Sequence, residues 1–407
     1  MTNYIILVLC IVVILSYIFD ISSRYSKIPG VILLIFLGIA LQLIVKAVHS
    51  EIPDLSPVLP VIGTLGLIMI VMEASLDLKL EKRKKRMIFK SIASAFILFA
   101  VFSAVLTFIL TDFFGFSVRN SLLNAIPLGI ISSSVAISSA VHLKPDDKEF
   151  VVYESSFSDI FGIIIFDFIL LSHGSIGQGI LDMGLRSLIT VVIALATTAI
   201  LAIMLHKITY HVNYVLIMTV IVLVYILAKL SHLPALLLVL IFGLVLSNNQ
   251  LLENTPIKKH VDFAKFRSDI KSFKVILTEL TFLVRSFFFI IFGFYAKIEG
   301  LYDLQNILTG AAVTAGIFLL RMLFFSQVIR TKLIPLGFFS PRGLITILLF
   351  ISIPAVSRIS LINEEVVTIV ILFTILVMII GNLLTEKVKK PEAQKTVVSE
   401  IVDYTDI

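Results

Sequence analysis

Glu154 and Asp159 stand five residues apart in the run Glu154-Ser-Ser-Phe-Ser-Asp159-Ile-Phe-Gly162, inside an otherwise apolar stretch of chain. A charge at the centre of a bilayer costs at least ~2.5–3.5 kcal/mol, so such residues mark ion or proton pathways unless a neighbouring helix satisfies them. Asp159 lies in the middle of its stretch. A carboxylate there holds either a proton or a small hard cation, for which oxygen ligands are the natural choice. On a helix, Ser155 and Asp159 share a face, whereas Glu154 and Asp159 point about 140° apart. The two acids therefore meet different surroundings. Glu154 needs a counter-charge. Arg342, at the start of a later apolar stretch, has the matching depth, which predicts a structural Glu154–Arg342 ion pair.

Three further features carry chemistry. Glu73, in Ile70-Val-Met-Glu73-Ala-Ser-Leu76, either lines a cytoplasm-facing approach and coordinates a cation or reaches the basic loop that follows it. Arg285 is mid-span and must find an anion or backbone carbonyls, with Asp159 and Glu73 as candidates. Ser132, Ser133, Ser134, Ser138 and Ser139 either complete a cation shell, if their helix unwinds, or allow close helix packing. Asp167 and Arg321 are isolated and suggest no role, and His142 and His232 read as interfacial residues at helix ends.

The elements that must position these groups are membrane spans. Of the 407 residues, 58% are hydrophobic and 15% are charged, against roughly 25% charged in soluble domains. A span needs about 20 mostly apolar residues. That template places thirteen helices near 3–19, 29–48, 56–76, 90–111, 121–141, 150–171, 184–205, 212–229, 233–248, 273–295, 304–327, 338–356 and 362–385. The first carries no basic leader or cleavage site and reads as a retained helix. Basic residues fall in alternate connections, most densely at Lys79, Lys82, Arg83, Lys84, Lys85, Arg86 and Lys90. By the positive-inside rule this puts the N-terminus outside and the C-terminus in the cytoplasm of a cell (inner or plasma) membrane. The same rule accounts for the net charge of +6 without a nucleic-acid partner.

Two blocks of six helices separated by a thirteenth lie in opposite orientations, the arithmetic of an inverted repeat. Helix five carries Pro127-Leu-Gly129 before its serines, and its counterpart, helix twelve, opens with Ser340-Pro-Arg-Gly343. The expected fold is thus an all-α integral membrane protein with discontinuous helices five and twelve. The single cysteine, Cys10, excludes an intramolecular disulfide. No phosphate-binding loop or Cys/His cluster occurs, which argues against ATP-driven transport, resident cofactors and enzymatic chemistry alike.

The residues together resemble the monovalent cation:proton antiporter family. Glu154-Ser-Ser-Phe-Ser158-Asp159 is similar to that family's helix-six motif Glu-Ser-x-x-Asn-Asp, with Ser158 where Asn is usual. Lys27-Ile-Pro-Gly30 with Gly38, the Glu73-Ala-Ser-Leu segment, Arg285 before its Phe-rich run, and Pro341-Arg-Gly343 extend the likeness along the apolar region. The resemblance implies a homodimer with dimerisation helices near 1–48 and 212–248, a linker helix at 184–205, and an ion-binding core near 56–171 and 273–385. A short cytoplasmic tail, 391–407, follows the antiporter domain at 1–390. It implies that Na⁺, or Li⁺ or K⁺, competes with H⁺ at Asp159, with Ser155, Ser158, Glu73 and Ser134 around the ion. In the same reading Glu154–Arg342 is a stabilising pair, Arg285 compensates charge, exchange is electroneutral, and the ion-binding core moves by an elevator-like alternation.

In two places the chain departs from the family pattern: Ser158, and Ser134-Val135-Ala136 where Thr-Asp-Pro is common. The second is similar to a branch that includes potassium/proton systems, which leaves a potassium/proton efflux antiporter as the alternative function. A transport-dead membrane sensor on the same scaffold is a third.

Overall fold

The computed structural model describes residues 2–26, 28–48, 58–78, 84–140, 143–171, 176–207, 213–248, 263–329 and 335–384. The tail, most of the dense basic connection after helix three, and the polar stretch 249–262 lie outside those residues. Among the described residues every element is helical, with no strand. Seven helices are long and apolar enough to cross a membrane by length and composition, and four shorter apolar helices accompany them.

In chain order the helices are α1 (Thr2–Ser26), α2 (Gly30–Val48), α3 (Val58–Asp77), α4 (Lys85–Asp112), α5 (Val118–Gly129), α6 (Ser133–Ser139) and α7 (Pro145–Leu171). Then follow α8 (Ile176–Lys207), α9 (Asn213–Leu230), α10 (Ala235–Ser247), α11 (Phe263–Tyr295), α12 (Leu304–Phe324), α13 (Leu344–Ser352) and α14 (Glu364–Leu384), with a single helical turn at Ile298–Leu301. Side chains such as Leu188, Val192, Val215 and Phe108 are exposed, so the outer surface is apolar, as lipid requires.

The packing sorts these helices into two sets. In one, α11 lies along α2 and α3, and α10 packs on α3 and α8. Gly38 and Gly293 let α2 and α11 meet backbone to backbone: a Cβ on Gly38 would sit 2.1 Å from the Ile290 carbonyl oxygen. In the other, α4 packs on α5 and α7, and α12 on α14 and α4. Of the spans near 56–76 and 273–295, α3 packs on α10 and α11 and touches α7 and α13, and α11 packs on α2 and α3. Apolar patterning alone does not say which neighbour a span chooses.

Both expected interruptions occur. Pro127 has no N–H to give the carbonyl four residues back, and the following serines offer the backbone alternative hydrogen bonds. The helix stops at Gly129; Ile130 and Ser132 are extended, and α6 begins at Ser133. In the twelfth span, a 3₁₀ turn at Leu336–Phe338 gives way to non-helical chain through Gly343 before α13. Pro341, which removes a second donor and disfavours helix at Ser340, accounts for that break.

Candidate ion-binding site

The two breaks touch. Ser132 N–H donates to the Pro341 carbonyl (2.9 Å). A Cβ on Gly343 would lie 2.6 Å from Ser132 Oγ and 2.9 Å from Val135 Cγ2, so only glycine fits at that crossing. Three successive amides freed by the first break each have their own acceptor. Ile131 N–H donates to Ser158 Oγ (2.9 Å), Ser132 N–H to Pro341, and Ser133 N–H to Asp159 Oδ2 (3.3 Å). In the second break Arg342 N–H donates to Thr374 Oγ1 at 3.0 Å. Backbone polar groups in a membrane interior must be satisfied internally, and Ser158, Asp159 and Thr374 do this where the helices cannot.

Asp159 is 3% exposed. Its Oδ2 takes the Ser133 amide, while Oδ1 has no hydrogen-bond partner. Beside it lies a cavity of about 10 Å³, lined by Ser156, Ser75 and apolar side chains including Val71, Ile163 and Leu240. That is room for about one water-sized sphere.

The expected Glu154–Arg342 pair is not formed. Arg321 takes both oxygens of Glu154, Nη2 to Oε2 at 2.7 Å and Nη1 to Oε1 at 3.0 Å. Its Nε donates to the Leu336 carbonyl (2.9 Å), and its guanidinium lies over the Phe325 ring, 4.7 Å from the centroid. Ser94 Oγ donates to the same carboxylate. Arg342 instead caps the end of α5, donating to the carbonyls of Leu128 (2.7 Å) and Gly129 (3.3 Å) and to Ser340. Both arginines lie at the depth of Glu154. Arg342, however, sits on unwound chain beside carbonyls that have lost their helical donors, and those carbonyls claim it. The sequence signal for the missed Arg321 was its place inside an apolar span, where a lone arginine demands a partner.

The remaining candidates take these positions. Ser155 is fully buried, but its hydroxyl donates to the Val151 carbonyl at 2.8 Å and it does not line the cavity. Glu73 is half-buried on α3 between Val71 and Ala74, which do line it. Ser134 Oγ meets Ser132 Oγ at 3.0 Å, and the Ser134 carbonyl accepts Nη1 of Arg285 at 3.4 Å. Arg285 has thus found a carbonyl rather than Asp159, with the Phe282 ring 5.9 Å from its guanidinium carbon. Sequence reasoning passed over Ser75 and Ser156, which carry no signal beyond being serines in a membrane span. Asp167, also assigned no role, is within electrostatic reach of Lys229.

Four charged side chains are buried among the described residues: Glu154, Asp159, Arg321 and Arg342. Two are acids and two are bases. These four side chains therefore sum to zero when Asp159 is ionised, and to one positive charge whether Asp159 holds a proton or a monovalent cation.

Comparison with known proteins agrees with the helical membrane fold. The family described as sodium/hydrogen exchanger, transmembrane, matches residues 9–388. Among solved structures, the sodium proton antiporter MjNhaP1 from Methanocaldococcus jannaschii at pH 8 superposes with a TM-score of 0.67 at 19% identity, covering 93% of this chain and 98% of that one. An electron-microscopy structure of the same antiporter gives a TM-score of 0.66 at 20% identity, covering 94% and 95%. At such identity the likeness is one of fold. No curated protein sequence matches the chain.

Proposed function

The chain belongs to the transmembrane sodium/hydrogen exchanger family, a family of multi-pass membrane transporters, and from that premise we propose that it is a secondary antiporter in which Na⁺ and H⁺ compete for Asp159. The observation that carries this reading is the state of that carboxylate: buried, with one oxygen engaged by the Ser133 amide and the other unpartnered beside a small cavity. An acid kept in a membrane interior with a spare oxygen is ready to take a proton or a cation.

The balance of buried charge supports one-for-one exchange. Proton-loaded and cation-loaded interiors carry the same net charge, so each complete cycle moves none. The two breaks support a pair of inverted six-helix repeats. Ser158 serves the first and Thr374 serves the second in the same way, and they stand on the sixth and thirteenth spans, which are counterparts in such a repeat. In this reading α4–α7 with α12–α14 carry the ion. The set α1–α3 with α8–α11 is the scaffold and joins two copies in a homodimer, with the N-terminus outside and the C-terminus in the cytoplasm.

The test is flux in proteoliposomes. Adding Na⁺ outside vesicles that are acid inside should dissipate the pH gradient, and clamping the membrane potential at zero or at −100 mV should leave the initial rate unchanged. A rate that follows the potential would overturn electroneutrality. Failure of Na⁺, Li⁺ and K⁺ alike to discharge the gradient would overturn antiport itself.

A further inference from the structure

Two polar atoms in the cavity beside Asp159 remain unmatched. Asp159 Oδ1 and Ser156 Oγ are both buried and both lack a hydrogen-bond partner, although the two residues are 3% and 1% exposed. An unsatisfied buried polar group costs about 1–3 kcal/mol. Two of them on one wall call for a common ligand. Ser75 on α3 lines the same cavity. It is fully buried, and its hydroxyl donates to the Met72 carbonyl at 2.8 Å, which leaves oxygen lone pairs free to accept. Gly243 of α10 closes over it so tightly that a Cβ there would lie 1.8 Å from Ser75 Oγ.

We propose that Asp159 Oδ1, Ser156 Oγ and Ser75 Oγ together coordinate the transported cation, stripped of bulk water, and that this shell selects Na⁺ and Li⁺ over K⁺. The proposal rests on Asp159 being the exchange site and adds which neighbours complete it. Oxygen donors around a carboxylate suit a hard monovalent cation. The other lining residues named above are aliphatic, so the protein side chains on this cavity offer one full charge and two neutral oxygens. A high-field shell of few ligands favours the smaller ion, since selectivity follows the number and field strength of the coordinating oxygens. When the cation arrives, the proton on Asp159 leaves to water, and the charge at the site is unchanged. Ser155, one position earlier on α7, turns its hydroxyl onto its own helix and is not part of this shell.

The experiment titrates purified full-length protein with NaCl, LiCl and KCl in weakly buffered solution while recording released protons, and measures exchange KM in proteoliposomes. For the wild-type chain, Na⁺ and Li⁺ should release about one proton each, with K⁺ requiring at least tenfold higher concentration. Ser156→Ala should raise the Na⁺ midpoint and KM about tenfold and Ser75→Ala several-fold, with the number of protons released unchanged. Ser156→Cys, close in size but offering sulfur, a poor ligand for a hard cation, should behave like Ser156→Ala and separates ligand loss from packing loss. No proton release from the wild-type chain would sink the exchange site itself. Normal release with Na⁺ constants within twofold of wild type in all three serine variants, or K⁺ acting at the same concentration as Na⁺, would overturn the shell alone.

Discussion

Asp159→Asn is expected to abolish exchange while leaving the protein folded. The amide carbonyl can still accept the Ser133 N–H that Oδ2 accepts now, so the crossing keeps that hydrogen bond. The negative charge is lost. A bare cation held in a membrane interior without its carboxylate costs at least ~3 kcal/mol, or roughly a hundredfold in affinity, and the amide has no proton to exchange at neutral pH. Fluxes driven by Na⁺, Li⁺ and K⁺ should all fall to the level of empty vesicles, with the thermal unfolding midpoint unchanged or raised because a buried charge is gone. Retention of even a tenth of wild-type exchange would remove Asp159 from the mechanism. Asp159→Ala is the harsher change, since it also strands the Ser133 amide, and it should cost stability as well as transport.

The second large effect is on folding. Arg321→Met should destabilise the protein by about 3–5 kcal/mol, because it leaves the Glu154 carboxylate buried without its counter-charge. Removing the acid as well, in Glu154→Gln with Arg321→Met, should restore most of that loss, since deleting a whole buried pair is far cheaper than deleting half of it. The unfolding midpoints of the two single variants and the double variant in detergent form a double-mutant cycle that isolates the pair. Arg342→Met provides the contrast. It strands the Leu128 and Gly129 carbonyls, and Glu154→Gln should not repair it. Rescue of Arg342→Met by Glu154→Gln, with none for Arg321→Met, would return the pair to Arg342.

That pair also shows where the sequence stops being informative. Apolar length found these helices but not all their ends: α1 runs to Ser26, α8 begins at Ile176 and α11 at Phe263, each well outside the expected bounds. Pro127, Gly129, Pro341 and Gly343 located both breaks, because those residues act on their own backbone. Asp159 could be found from the cost of its charge. The identity of a partner is different: Glu154 had two arginines at one depth, and which of them faces it depends on helix rotation and on unwound carbonyls elsewhere. The same holds for the serines. Ser155 and Ser156 are neighbours in sequence with equal claims on Asp159, yet the hydroxyl of one is turned to Val151, while the other residue lines the cavity and its hydroxyl has no partner. Likewise α3 and α11 have the composition of any span, and their choice of α2 and α10 as neighbours is written in side-chain fit along their whole length.

The Ser133 amide has one further consequence. Its hydrogen bond to Asp159 is long, 3.3 Å, and it ends on the carboxylate at which we propose that the travelling ion binds. A proton or a metal ion on that group withdraws electron density from the acceptor, and the amide reports it. Nitrogen-labelled Ser133 is therefore a built-in spectroscopic gauge: its resonance position distinguishes free, protonated and cation-bound carboxylate without any probe being attached to the protein.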